Sequence, residues 1–135
     1  MRALTVGDVI ATRTFHLTRD SLVRYAGASG DFNPIHYRDD VAQSVGLDGV
    51  LAHGMLTMGL AVQSVVDWLP PTGSIDDYQV RFTRPVFVDA AKGVDVTVVA
   101  TVTVLNDNGA RIDLTVMSGE QSVLGKAQVQ VRLPS

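Results

Sequence analysis

The chain has 135 residues, 11 Lys+Arg against 14 Asp+Glu, a formal charge of −3 and no cysteine. Hydrophobic residues make up 46% and charged residues 19%, the latter below the ~25% usual for a soluble domain. A disordered chain, a disulfide scaffold, a cysteine zinc site and a basic nucleic-acid binder are thereby excluded.

The length suits one domain over residues 1–135, and the apolar surplus points to an oligomer interface, an apolar pocket, or both. The stretch Met1–Asp8 lacks the apolar core of a signal peptide. No apolar run approaches the ~20 residues of a spanning helix. The best candidate, Met55–Leu69, is interrupted by Thr57, Gln63, Ser64 and Asp67. A cytoplasmic location is the resulting expectation.

A first strand is predicted over Ile10–Leu17. Thr18 stands where a helix N-cap belongs, with Asp20 in the first turn. Leu22, Val23, Tyr25 and Ala26 give that helix an apolar side before Gly27 and Gly30 loosen it. Asp39 is placed to cap a short helix ending at Gly46. A third helix, Gly54–Leu69, is apolar on most of its circumference, which predicts burial, and Pro70-Pro71 ends it.

The second half alternates with period two. Tyr78, Val80 and Phe82 share one face of a strand, and Val94 to Val104 form a long alternating row. Asn106-Asp107-Asn108-Gly109 reads as a hairpin turn with Gly109 at positive φ. Ile112, Leu114 and Val116 continue on the return strand, and Val123, Ala127, Val129, Val131 and Leu133 make the last. About five long antiparallel strands and one buried helix predict an α+β architecture, a sheet wrapped around a central helix. The helix covers one sheet face, and the apolar remainder is expected to meet another subunit.

The chemistry concentrates in Tyr25-Ala26-Gly27-Ala28-Ser29-Gly30-Asp31-Phe32-Asn33-Pro34-Ile35-His36. Pro34 disfavours helix at Asn33, so the backbone there is extended or turning. Gly30 lets the chain bend just before Asp31. Such a segment can present the Asp31 carboxylate and the His36 imidazole to one small molecule such as water. Asn33 offers an amide to fix the loop. The plainer reading is solvated loop residues and ordinary Asn-Pro turn chemistry.

Gly30-Asp31-Phe32-Asn33-Pro34-Ile35-His36, preceded by Tyr25 and followed by Ala42, resembles the motif of the MaoC-like (R)-specific enoyl-CoA hydratases and (3R)-hydroxyacyl-carrier-protein dehydratases. Two further blocks, Leu51-Ala52-His53-Gly54-Met55-Leu56-Thr57 and Val80-Arg81-Phe82-Thr83-Arg84-Pro85-Val86, resemble the start of that family's central helix and the strand after it. Within the family the chain most resembles the catalytic subunit of the mycobacterial dehydratase. One departure is Val88-Asp89-Ala90, where family members often carry a Gly-Asp turn.

The resemblance implies a hot-dog fold, a curved antiparallel sheet around one long helix. It implies that Asp31 and His36 hold the catalytic water. The reaction implied is reversible syn hydration of a trans-2-enoyl thioester to a (3R)-3-hydroxyacyl thioester, carried on coenzyme A or acyl carrier protein, with no cofactor. Charge then develops on the thioester oxygen, and the Gly54 N–H at the helix start is the candidate donor. Ser29, Asn33 and His53 are supporting residues, His53 through a structural hydrogen bond before the helix.

Metal binding by Asp31, His36 and His53 is not expected, since no recognised metal motif is present. His16 reads as strand surface. Met55 and Met58 read as core, with an acyl channel as the alternative. Arg81, Arg84, Lys92 and Lys126 read as solvated strand faces, with phosphate contacts as the alternative. A homodimer, or a heterodimer with a non-catalytic hot-dog subunit, is the expected assembly, with no nucleic acid and no membrane span.

Two rival classes compete. A hot-dog thioesterase usually needs a carboxylate on or facing its central helix, and this helix has none before Asp67. A non-catalytic acyl-binding subunit should lack the Asp/His pair.

Overall fold

A computed structural model describes residues 3–134. Met1, Arg2 and Ser135 lie outside it, including the start of the N-terminal stretch considered above. The elements run β1 (Val9–Leu17), α1 (Arg19–Ser29), a 3₁₀ turn (Pro34–His36), α2 (Asp39–Ser44), α3 (Gly54–Trp68), β2 (Ser74–Phe82), β3 (Val94–Asn106), β4 (Gly109–Ser118), β5 (Gln121–Ser122) and β6 (Leu124–Arg132). The strands form one antiparallel sheet in the order β1-β3-β4-β6-β2, with the two-residue β5 beside β4. This is the hot-dog fold, with one short strand more than the alternation pattern marks.

Helix α3 packs across β1, β2, β3 and β4. Its buried residues are Thr57, Ala61, Ser64 and Val65, spaced i, i+4, i+7, i+8 on one face. Ala61 and Ser64 are small and let the helix axis sit close to the sheet. Against them stand Val96, Val98, Ala100 and Val102 of β3, Ile112, Leu114 and Val116 of β4, and Ala127, Val129 and Val131 of β6.

The all-round burial expected for α3 is therefore corrected. Met55 is 60% exposed and Val66 46% exposed, because the sheet curves over only one side of the helix. In α1, likewise, Leu22 and Ala26 are buried while Val23 is exposed. The α3 helix ends at Trp68, with Leu69 as its extended C-cap.

Local chemistry accounts for most element boundaries. The Thr18 side chain accepts from Ser21 N–H and Ser21 Oγ answers the Thr18 N–H, a closed capping box. Helix α1 ends at Gly30 in the left-handed region, φ 78°. Asp39 does not cap α2 as expected; Arg38 is the N-cap, and the Asp39 carboxylate accepts from Val50 N–H and pairs with Arg19. Those two partners hold the Asp39 carboxyl below the usual carboxylate range.

The long β3 row is interrupted by a register shift between Val102 and Val104, and Val104 is left exposed. Gly109 does not adopt positive φ, contrary to expectation. What excludes a side chain there is space, since a Cβ would run into the Val131 carbonyl. Asn106 Oδ1 instead stabilises the turn by accepting from Asn108 N–H. Val123 is buried but falls between β5 and β6 rather than in the last strand. At the departure after Val88, the Asp89 carboxylate accepts from Ala91 and Lys92 N–H, so the turn closes without a Gly-Asp pair.

Candidate active site

Three chain segments converge on one place. The end of α1 and the loop after it bring Ser29, Asp31 and Asn33; the 3₁₀ turn brings His36; and the entry to α3 brings His53, Gly54 and Thr57.

The loop is braced by its own side chains. Ser29 Oγ accepts from Asp31 N–H (3.1 Å), Asp31 Oδ1 accepts from Asn33 N–H (3.2 Å), and Asn33 Oδ1 accepts from Ile35 N–H (3.2 Å). These are consecutive local turns of the kind short polar side chains favour. Pro34 then opens the 3₁₀ turn at its first position. With Oδ1 engaged by the backbone, Asp31 directs Oδ2 toward His36 Nε2, 3.9 Å away.

The Ile35-His36 segment is latched to Leu51 at two points. His36 Nδ1–H donates to the Leu51 carbonyl (2.7 Å), and Leu51 N–H donates to the Ile35 carbonyl (3.3 Å). A carbonyl only accepts, so Nδ1 carries the hydrogen and Nε2 of the neutral ring is a bare acceptor. The 3.9 Å gap to Asp31 Oδ2 is too long for a direct hydrogen bond. One water can span it. The His36 side chain is 9% exposed and that of Asp31 50%.

His53 underlies both. It is the N-cap of α3 but makes no side-chain capping bond. Its Nε2–H instead donates to the Asp31 carbonyl at 3.1 Å. Its ring stacks on His36, centroids 3.8 Å apart and planes 20° from parallel, and Tyr25 meets it edge-on at 4.8 Å. Burial, with a smaller push from His36, lowers the His53 pKa, and His53 Nδ1 is a buried atom without a hydrogen-bond partner among the described residues.

A cavity of about 300 Å³ opens beside this cluster. Its walls include His36, Gly54, Thr57, Phe82, Arg84 and Val86. The Phe82 ring lies against Gly54, where a Cβ would come within 3.0 Å of it. Thr57 thus belongs to the site, a residue the sequence reading passed over. Its position three residues after Gly54 was the available signal.

Asp31, His36 and His53 each offer a metal-ligating atom, all within 4.8 Å of one another. His36 Nδ1 and His53 Nε2 are already engaged by carbonyls. The arrangement suits a small hydrogen-bonding molecule between Oδ2 and Nε2 better than an ion.

Of the other sequence candidates, Arg84 reaches the cavity, while His16, Arg81, Lys126 and Met55 lie elsewhere. His16 Nδ1 pairs with Asp95 on the exposed surface (2.7 Å). Arg84 lines the cavity but donates to the Ser122 carbonyl, while Arg81 and Lys126 line a separate hollow with Gln79 and Gln128. Met55 is exposed at the surface rather than in the core.

The family description "MaoC like domain" matches residues 3–119. The chain belongs to the MaoC-like family. This MaoC-like chain is 33% identical over 112 residues to the (R)-specific enoyl-CoA hydratase of Aeromonas caviae, covering 79% of this chain and 81% of that one. It is 35% identical over 77 residues to 3-hydroxyacyl-thioester dehydratase X of Mycobacterium tuberculosis, covering 57% of this chain and only 26% of that one.

A solved MaoC-like dehydratase superposes with a TM-score of 0.92 at 34% identity, over 97% of this chain and 41% of its own. The chain therefore spans less than half of two of these relatives. Two assemblies from Mycobacterium tuberculosis share the fold alone. They are the ChsH1-ChsH2 complex (22% identity, TM-score 0.86, 98% of this chain and 100% of that chain) and the HadBC dehydratase complex (15%, 0.74, 97% and 99%).

Proposed function

We propose that the chain is a reversible hydratase/dehydratase interconverting a trans-2-enoyl thioester and a (3R)-3-hydroxyacyl thioester of coenzyme A or acyl carrier protein. The observation that carries this reading is the pair of acceptors, Asp31 Oδ2 and His36 Nε2, 3.9 Å apart. Two acceptors suit the two hydrogens of one water and leave an oxygen lone pair for attack.

In hydration the water oxygen bonds to C3. The C2=C3 π electrons shift toward the thioester carbonyl, whose oxygen becomes enolate-like. One water proton passes to the dyad, and the dyad returns a proton to C2 on the same face. The carbonyl re-forms, and the sum is addition of H₂O with no cofactor. Gly54 N–H, at the positive end of α3, faces the same cavity as His36 and stabilises the developing oxyanion. Asn33 and Ser29 hold the loop in shape.

The half-exposed Asp31 carboxylate, the exposed Phe32, Met55 and Phe82, and the open sheet edges β1 and β2 support a working dimer. The partner is a second copy or a non-catalytic hot-dog subunit. A stable, active monomer on size exclusion would contradict that assembly.

The function is tested with crotonyl-CoA and a long-chain enoyl-CoA, following loss of enoyl-thioester absorbance and the chirality of the product. Formation of the (3R)-alcohol is expected. Release of free thiol without hydration would point to a thioesterase. No reaction, with or without a partner subunit, would leave an acyl-binding role.

A further inference from the structure

Thr57 is 3% exposed, yet it lines the cavity shared by His36 and Gly54. Threonines inside helices commonly return their hydroxyl to the i−4 carbonyl. Here that carbonyl, His53 O, accepts the N–H groups of Leu56 and Thr57 (3.1 and 3.2 Å). Among the described residues the Thr57 hydroxyl has no hydrogen-bond partner. A hydroxyl with no protein partner is satisfied by what fills the space beside it. The neighbouring space is the cavity.

The direction of the side chain narrows the choice of ligand atom. Side chains in an α-helix lean toward its N-terminus, over the preceding turn. Thr57 therefore leans toward Gly54, the first residue of α3. A donor at that place lines the same cavity as Gly54. The wall around it is largely apolar, through Leu51, Phe82, Val86 and Leu124, so a hydrogen bond formed there gains strength from the low dielectric.

We infer that the Thr57 hydroxyl is a second catalytic donor, joining the Gly54 N–H on the thioester oxygen as charge builds there. The inference rests on the proposed hydration reaction and adds a residue to it. The donor strengthens its bond as the carbonyl becomes enolate-like, so it acts on kcat more than on KM.

The test compares the wild-type chain with Thr57→Val, Thr57→Ala and Thr57→Ser, using crotonyl-CoA. Valine keeps the shape and removes only the hydroxyl. Loss of one such donor lowers kcat by ~10²–10³. That fall, with KM changed by only a few-fold and kcat largely restored in Thr57→Ser, is the expected result.

Kcat within a few-fold of wild type in Thr57→Val would overturn the inference and leave the hydratase reading intact. So would a loss equally deep in Thr57→Ser. Thr57→Ala gives the same readout should valine disturb folding. An inactive wild-type chain would instead overturn the hydratase reading, and this inference with it.

Discussion

His36 and His53 lie face to face, with ring centroids 3.8 Å apart. Each spends one nitrogen on a backbone carbonyl, His36 on Leu51 and His53 on Asp31. The two rings thereby tie the 3₁₀ turn, the Asp31 loop and the start of α3 into one unit. His53 resists protonation because it is buried and because a charge on His36 would oppose it.

That resistance has a pH signature. The His53 pKa lies below its ordinary value near 6.5 when folded and returns toward it on unfolding. The unfolded chain then binds more protons, so stability falls as pH drops below ~6.5 toward the folded pKa. His53→Gln should flatten this slope between pH 7 and 5 in thermal melts. An unchanged slope would assign the acid sensitivity to other groups.

Asp31→Asn keeps the side-chain oxygen that accepts from Asn33 N–H and removes the charge. The fold should persist, and the rate should fall by at least the ~10²–10⁴ of an acid–base term. His36→Ala should fall comparably. Near-normal turnover by either variant, measured by enoyl-thioester absorbance, would sink the dyad.

Gly54→Ala places a methyl group 3.0 Å from the Phe82 ring. Phe82 is 55% exposed and can move, so stability should change by less than ~1 kcal/mol. The cavity mouth narrows, and activity should drop. Adding Phe82→Ala should recover part of it. A double variant no better than Gly54→Ala would show that the ring is not what limits access.

Gly109→Ala offers no such escape, because the obstacle is the Val131 backbone carbonyl. The β4–β6 pairing that joins Gly109 to Arg132 must shift. The expected cost is ~1–3 kcal/mol, read from urea unfolding. A variant as stable as wild type would mean that this corner of the sheet relaxes freely.

Much of this was legible in the chain itself, for local reasons. Thr18 followed by Asp20 marks a helix start, and Val96 to Val102 alternate because one face meets α3. The Asp31–His36 stretch stands out because polar side chains, glycine and proline each carry a distinct backbone consequence. What stayed hidden depends on contacts far along the chain.

Gly109 reads as a turn glycine until Val131 is seen above it. Asp39 reads as a cap until Val50 and Arg19 claim it. Thr57 looks like an interruption of an apolar helix until the cavity is in place.

The two oxygens of Asp31 are divided, Oδ1 for the backbone at Asn33 and Oδ2 for the space before His36. In the proposed reaction one side chain is both brace and reagent. Truncation at Asp31, or spontaneous isomerisation of its backbone, would damage posture and chemistry together. An amide there spares the posture. Ageing of this residue would therefore register as inactivation and loosening in the same event, with no intermediate in which a well-formed loop merely lacks its charge.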